Sequence, residues 1–176
     1  MKPGLDGSGA QAAIPEPPPP PDNVAFNGTT ARNDARRWRS DAQLVWVDIQ
    51  QTNTANAAGM RPYYVLYQFV SPSDGRLMSV IDGSAGRTYS PVNVPIQTAI
   101  YPIVMPFMDL PEAIKIARAS GFSGSFARAY LYWRPIKGKP VVLVWTIYPF
   151  TQGDGATQYN VDAQTGVIVP IPQLMN

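Results

Sequence analysis

Apolar and polar residues alternate with a period of two along much of this chain, and turn residues stand where the alternation stops. Over residues 126–134, Ala127, Ala129, Leu131 and Trp133 fall on one side, while Arg128, Tyr130, Tyr132 and Arg134 fall on the other with Phe126. Successive side chains of a strand point to opposite faces, so the spacing predicts a strand with two unlike faces. The run Pro140-Val-Val-Leu-Val-Trp-Thr-Ile-Tyr148 is β-branched and aromatic, the composition of a buried strand. A further strand around Tyr159 and Val161 stops at Asp162-Ala-Gln-Thr-Gly166. There an Asp side chain bonds the backbone ahead of it, and Gly takes a positive φ. Upstream, residues 43–50 predict a strand with Val45, Val47 and Ile49 on one face and Trp46 and Asp48 on the other. Residues 62–70 form a strand that is apolar on both faces, and residues 77–82 form another. Ser71-Pro-Ser-Asp-Gly75 is the turn between them, and residues 83–86 turn again after the second.

Two stretches carry the helical period instead. In Asp109-Leu-Pro-Glu-Ala-Ile-Lys-Ile-Ala-Arg-Ala-Ser-Gly121, Asp109 caps, Pro111 sits in the first turn, Glu112 completes a capping box and Gly121 closes the helix. Leu110, Ala113, Ile114 and Ala117 are its apolar stripe. Residues 29–38 predict a shorter helix with a Thr cap, lined on its exposed side by Arg32, Arg36, Arg37 and, just beyond, Arg39. A charge run of this kind is ordinarily a solvated face.

The two halves share a plan. Laying Pro62 on Pro140 brings Tyr63, Val65, Tyr67 and Phe69 onto Val141, Leu143, Trp145 and Ile147. After a gap of two residues, Asp74-Gly75 falls on Asp154-Gly155. Asp82 and Gly86 then fall on Asp162 and Gly166. Matching turn residues at both ends of a strand indicates duplication. The expected fold is therefore α+β: two repeats, each a helix plus a three-stranded antiparallel meander, packed as one body. The expected division is a proline-rich spacer at 1–28, a first repeat at 29–90, a proline-rich packed linker at 91–108 and a second repeat at 109–172. Pro91, Pro95, Pro102 and Pro106 exclude a helix or a central strand from the linker. Ile96, Ile100, Ile103, Met105 and Phe107 should hold it against the body.

The pattern Glu112-Ala-Ile-Lys-Ile-Ala, Val144-Trp-Thr-Ile147 and Tyr159-Asn-Val-Asp-Ala-Gln-Thr-Gly-Val-Ile168 resembles the PepSY domain family over about residues 109–170. Residues 29–90 are similar only in outline, with Asp82-Gly-Ser-Ala-Gly86 in place of the closing motif. The resemblance implies a PepSY/cystatin-like fold and an extracytoplasmic location, periplasmic or secreted. It also implies a role in binding or restraining peptidases.

Composition narrows the chemistry. Charged residues make up 15% of the chain and the net charge is +2, which gives no electrostatic case for nucleic acid. Cysteine and histidine are both absent, which removes disulfides, thiol catalysis, the commonest general base and the commonest metal ligands. The only glutamates are Glu16 and Glu112, so no spacing supports paired catalytic carboxylates. No phosphate-cradling glycine loop is present. The expectation is a non-enzyme without cofactor or metal. No run approaches the ~18 apolar residues of a membrane span, and the opening residues lack the apolar core of a signal peptide. The run Pro17-Pro-Pro-Pro-Pro21 reads as a stiff spacer, or as a ligand for a proline-recognising surface.

A surface remains. Small and apolar residues of the 126–134 strand suit a helix, so Arg128, Tyr130, Tyr132 and Arg134 should face outward as a partner-binding stripe. Trp46 and Asp48 are the second candidate face. Tyr, Trp and Arg are the residue types that carry interface energy. The partner is expected to be a protein, either a peptidase or, if the chain is an accessory or scaffold subunit, a component of a larger and membrane-bound assembly.

Overall fold

The computed structural model describes residues 28–51, 63–83, 86–92, 101–104, 107–123, 126–137, 139–150 and 158–171. Helix α1 (Gly28–Trp38) leads into strands β1 (Gln43–Gln51), β2 (Tyr63–Val70), β3 (Leu77–Gly83) and β4 (Gly86–Val92). Helix α2 (Leu110–Ala119) leads into β5 (Phe126–Ile136), β6 (Lys139–Pro149) and β7 (Tyr159–Asp162). All seven strands belong to one antiparallel sheet in the order β4-β3-β2-β1-β5-β6-β7.

This corrects the expected fold. In place of two helix-plus-three-strand repeats there is one continuous, strand-dominated sheet with two helices laid on it. β1 pairs with β5 in the middle, so the sheet does not divide between the halves. β4 is not among the expected strands: Gly86 falls in an expected turn, Pro91 and Val92 fall in the expected linker, and residues 87–90 carry no expected element. Pro91 lacks a backbone donor, yet β4 pairs only with β3 and is outermost, a place where a missing N–H is tolerated.

One face of the sheet is core. Val47 and Ile49 of β1, Val65, Tyr67 and Phe69 of β2, and Ala129 and Leu131 of β5 are buried there with Leu143, Trp145 and Ile147 of β6. α2 adds Leu110, Ala113, Ile114 and Ala117, the stripe expected from its spacing. α1 contributes Ala31 and Ala35, both fully buried, and packs the half-buried Trp38 against the core; ionic contacts add to this apolar hold. Arg87 of β4 donates from Nη1 to Asp34 of α1 at 2.7 Å and from Nη2 to Asp82 of β3 at 2.7 Å. Hydrogen bonding to Asp82 pushes its pKa above the ordinary arginine value, against the effect of burial. Beyond the helix, Arg39 reaches Asp74 at 3.1 Å.

Two register shifts alter the faces read from alternation. A bulge between Leu44 and Trp46 turns Leu44, rather than Val45, inward beside Val47. Another between Phe126 and Arg128 turns Phe126 into the core, off the Arg/Tyr face where alternation placed it.

The described part of the 91–108 segment lies along the core face. Ile103 N–H donates to Leu44 C=O at 2.6 Å, and Met108 N–H to Ala163 C=O at 2.7 Å. Trp133 Nε1 donates to Pro102 C=O at 3.0 Å and Trp145 Nε1 to Met108 C=O at 2.8 Å. Ile96, Ile100, Met105, residues 1–27 of the expected 1–28 spacer and Asp154-Gly155 lie outside the described residues, while Gly28 begins α1.

The closing turn is built as its residues suggest. Asp162 Oδ1 accepts from the N–H groups of Gln164 and Thr165 at 2.8 and 3.1 Å, and Gly166 sits at φ +75°. A Cβ at Gly166 would stand 3.1 Å from Met108 Cε and 3.3 Å from Ile116 Cδ1. Gly166→Ala is therefore expected to destabilise the fold by about 1–2 kcal/mol through the left-handed backbone, with crowding added. Urea denaturation at constant m-value checks this.

Candidate functional site

The side chains opposite the core form the candidate site. Register fixes which residues share this face: Asp48 lies across from Tyr130, Gln50 from Arg128, and Tyr64 from Gln50. On the other flank Arg128 lies across from Tyr148, Tyr130 from Thr146, and Tyr132 from Val144. Trp46 occupies the next position of β1 on the same side. The structure thus brings all six expected residues, Trp46, Asp48, Arg128, Tyr130, Tyr132 and Arg134, onto one face. Trp46 and Asp48, considered as a separate surface in the sequence, are part of the same one. Among the described residues, the helices pack into the opposite, core face.

The rings touch. Trp46 stacks on Tyr132 with centroids 4.5 Å apart and meets Tyr130 edge-on at 5.4 Å. Tyr130 is edge-on to Tyr132 at 6.3 Å and to Tyr148 at 5.8 Å. Such tilted and edge contacts favour the positive rim of one ring against the negative face of the next. A guanidinium closes each end: Arg128 Cζ lies 4.3 Å from the Tyr130 centroid and Arg134 Cζ 5.4 Å from that of Tyr132.

Asp48 is the charged anchor beneath the rings and is 3% exposed. Arg128 donates to it twice, Nε to Oδ1 at 3.0 Å and Nη2 to Oδ2 at 2.6 Å, and Gln50 Nε2 adds a third bond at 3.0 Å. The hydrogen bond to Asp48 holds the Arg128 pKa above its ordinary value. At the far side, Thr146 Oγ1 donates to Asn160 Oδ1 at 2.9 Å, while the buried Asn160 Nδ2 has no partner among the described residues. Tyr148 O–H donates to Gln158 Oε1 at 2.8 Å.

Tyr64, Gln50, Tyr148, Thr146 and Asn160 were not foreseen as members of this face. The signal for two of them was present: Tyr64 falls two residues from Leu66, and Tyr148 two from Thr146, on the alternating positions of their strands. Choosing the face required the β1–β5 pairing, which joins residues far apart in the sequence. The assembled groups offer aromatic surfaces and N–H and O–H donors. Their buried carboxylate, Asp48, is already neutralised. Among the described residues no cluster of three or more acidic, histidine or cysteine side chains is placed to hold a metal. No described helix is long and apolar enough to cross a membrane. Comparison of the chain with protein-family models, curated proteins and solved structures found no match.

Removing Arg128 leaves Asp48 buried without its counter-charge. Arg128→Ala is expected to cost about 2–3 kcal/mol, below the ~3–5 kcal/mol of a fully buried pair because the arginine side chain is 42% exposed. Adding Asp48→Ala to that variant should recover part of the loss, as a double-mutant cycle on denaturation midpoints would show.

Burial raises the pKa of Tyr64, Tyr130 and Tyr148, with Asp48 pushing the first two further up and Tyr132 the third, against the opposing pull of Arg128. The folded state therefore favours the neutral phenols. Their contribution to stability should be complete below the ordinary tyrosine value of about 10 and be lost as pH rises through the raised folded values. Phenolate absorbance should show a delayed fraction in the folded chain that disappears in denaturant.

Proposed function

We propose that this chain is a non-enzymatic protein-binding module that engages its partner through the face opposite its helices. The observation that carries this reading is the ring cluster of Trp46, Tyr130, Tyr132 and Tyr148, held between Arg128 and Arg134. Rigid amphipathic rings give a large contact area for little lost conformational freedom. Trp, Tyr and Arg also dominate measured interface energies. The resemblance of residues 109–170 to PepSY domains supports the same class of role. It favours a peptidase as the partner, met outside the cytoplasm.

The test is a Tyr130→Ala, Tyr132→Ala double variant. Each interface ring at the centre of a contact is worth ~2 kcal/mol or more, so capture of the partner should fall by roughly 30-fold per ring and by up to about 1,000-fold for the pair if the two losses add. Both rings are half-buried, so the variant should still unfold cooperatively, with a loss below the ~3–5 kcal/mol of a buried ring. The assay is co-purification from the source cell, followed by inhibition of any recovered peptidase. A double variant that captures its partner as well as the parent does would overturn the reading. Recovery of a membrane-complex subunit would replace the peptidase with a larger assembly.

A further inference from the structure

The ring face can be read only through its side chains. Its rings stand on β1, β5 and β6, and each of these strands has a paired neighbour on both sides. Their backbone groups are engaged within the sheet, so a partner strand has no free edge to join at this face. What a partner meets is the shape of the rings and the polar groups around them.

The shape is a pair of notches flanking Tyr130. The Tyr130 ring stands at 88° to that of Tyr132 and at 89° to that of Tyr148. Tyr132 lies two positions further along β5, whereas Tyr148 lies across from Arg128, two positions the other way. One notch therefore opens on each side of Tyr130, and Trp46 extends the first by stacking on Tyr132. The flanking centroids are 6.3 and 5.8 Å from that of Tyr130. The notch centres are thus no farther apart than the ~6 Å that two residues rise in a polyproline helix. With three residues per turn, residues two apart lie on neighbouring edges of a three-sided rod, so both can rest on one surface. Proline rings pack well on aromatic walls of this kind.

The polar groups favour the same occupant. Among the described residues, the hydroxyls of Tyr130 and Tyr132 make no hydrogen bond, and Arg134 has no carboxylate partner. Asp48, the carboxylate beneath the rings, is already held by Arg128 and Gln50. The face therefore offers donors and little to accept. A proline carbonyl accepts hydrogen bonds, and proline has no N–H that would need an acceptor in return. Arg134 Cζ lies 5.4 Å from the Tyr132 centroid, at the end of the ring row. A carboxylate flanking the prolines would meet it there.

We infer that the ring face takes a proline-rich, acid-flanked segment of its partner. The segment lies as a polyproline helix, with prolines in the two notches beside Tyr130 and an acidic residue on Arg134. This rests on the proposed binding role of the face and names the chemistry of what it binds.

The test titrates the full chain with a decaproline peptide and reads the side-chain NMR signals of Trp46, Tyr130 and Tyr148. These should shift and saturate, while the indole signal of the buried Trp145 stays in place. A Gly-Ser peptide of equal length should leave them unmoved. Two glutamates added at one end of the decaproline should tighten binding by roughly two- to fivefold, the range of an exposed ion pair. Arg134→Glu should erase that gain. Tyr130→Ala with Tyr132→Ala should abolish binding of both proline peptides with the Trp145 signal intact. Repeating the titration on a full chain with Pro17 to Pro21 replaced by serine keeps the chain's own prolines from competing. Decaproline that moves no ring signal in either chain would overturn the inference, and so would a Gly-Ser peptide that moves them equally. If decaproline fails while the Tyr130→Ala, Tyr132→Ala variant still loses its partner, the polyproline ligand is wrong and the binding role stands. If decaproline binds and that variant captures its partner normally, the binding role fails.

Discussion

Four residue pairs join the two halves of this protein: Val47 with Leu131, Asp48 with Tyr130, Ile49 with Ala129, and Gln50 with Arg128. Every other feature depends on that short ladder. It makes seven strands one sheet, and it decides which side chains meet across the seam. A slip of one residue would send Leu131 and Ala129 to the ring side and the tyrosines into the core. The Asp48–Arg128 pair marks the correct register, because the carboxylate reaches diagonally to the residue two positions from its direct neighbour. In any odd register the two charges lie on opposite faces. Buried charge of this kind specifies an arrangement more than it strengthens one.

The two helices are held by different forces. α2 docks with Leu110 and Ile114 and is anchored further where Met108 bonds to Trp145 and Ala163. α1 brings two alanines and the half-buried Trp38 to the core and is tied further by Arg87 bridging Asp34 and Asp82. Salt can therefore screen only the ionic part of the first helix's attachment, and the bridging arginine, only 19% exposed, limits even that.

Local chemistry was legible in the sequence and non-local pairing was not. The α2 stripe, the Asp162 turn and the Arg/Tyr alternation follow from residue spacing, because a helix period or a strand period sets each of them. The duplication signal suggested two helix-plus-meander repeats packed as one body, since it records matching turns but not which strand edges meet. Pro91 obscured β4, because a proline argues against a central strand and says little about an outermost one. Val45 and Phe126 depart from the faces that alternation gives them for one reason: a bulge adds a residue and resets the alternation without a compositional mark. The six site residues were named in two groups, and only the β1–β5 register showed that they form one face.

The seam also sets an order of events. Hairpins such as β2–β3 and β5–β6 close over short loops, whereas Asp48 and Arg128 are 80 positions apart. Loop-closure entropy grows with separation, and contacts of long sequence range govern how slowly a chain reaches its native state. The central pairing is thus the costliest to nucleate. The ring face comes into being with it, since Trp46 belongs to one half and the tyrosines to the other. A nascent chain carries each half of the surface before it carries the surface, and the ring face is complete only once the two halves of the sheet have paired.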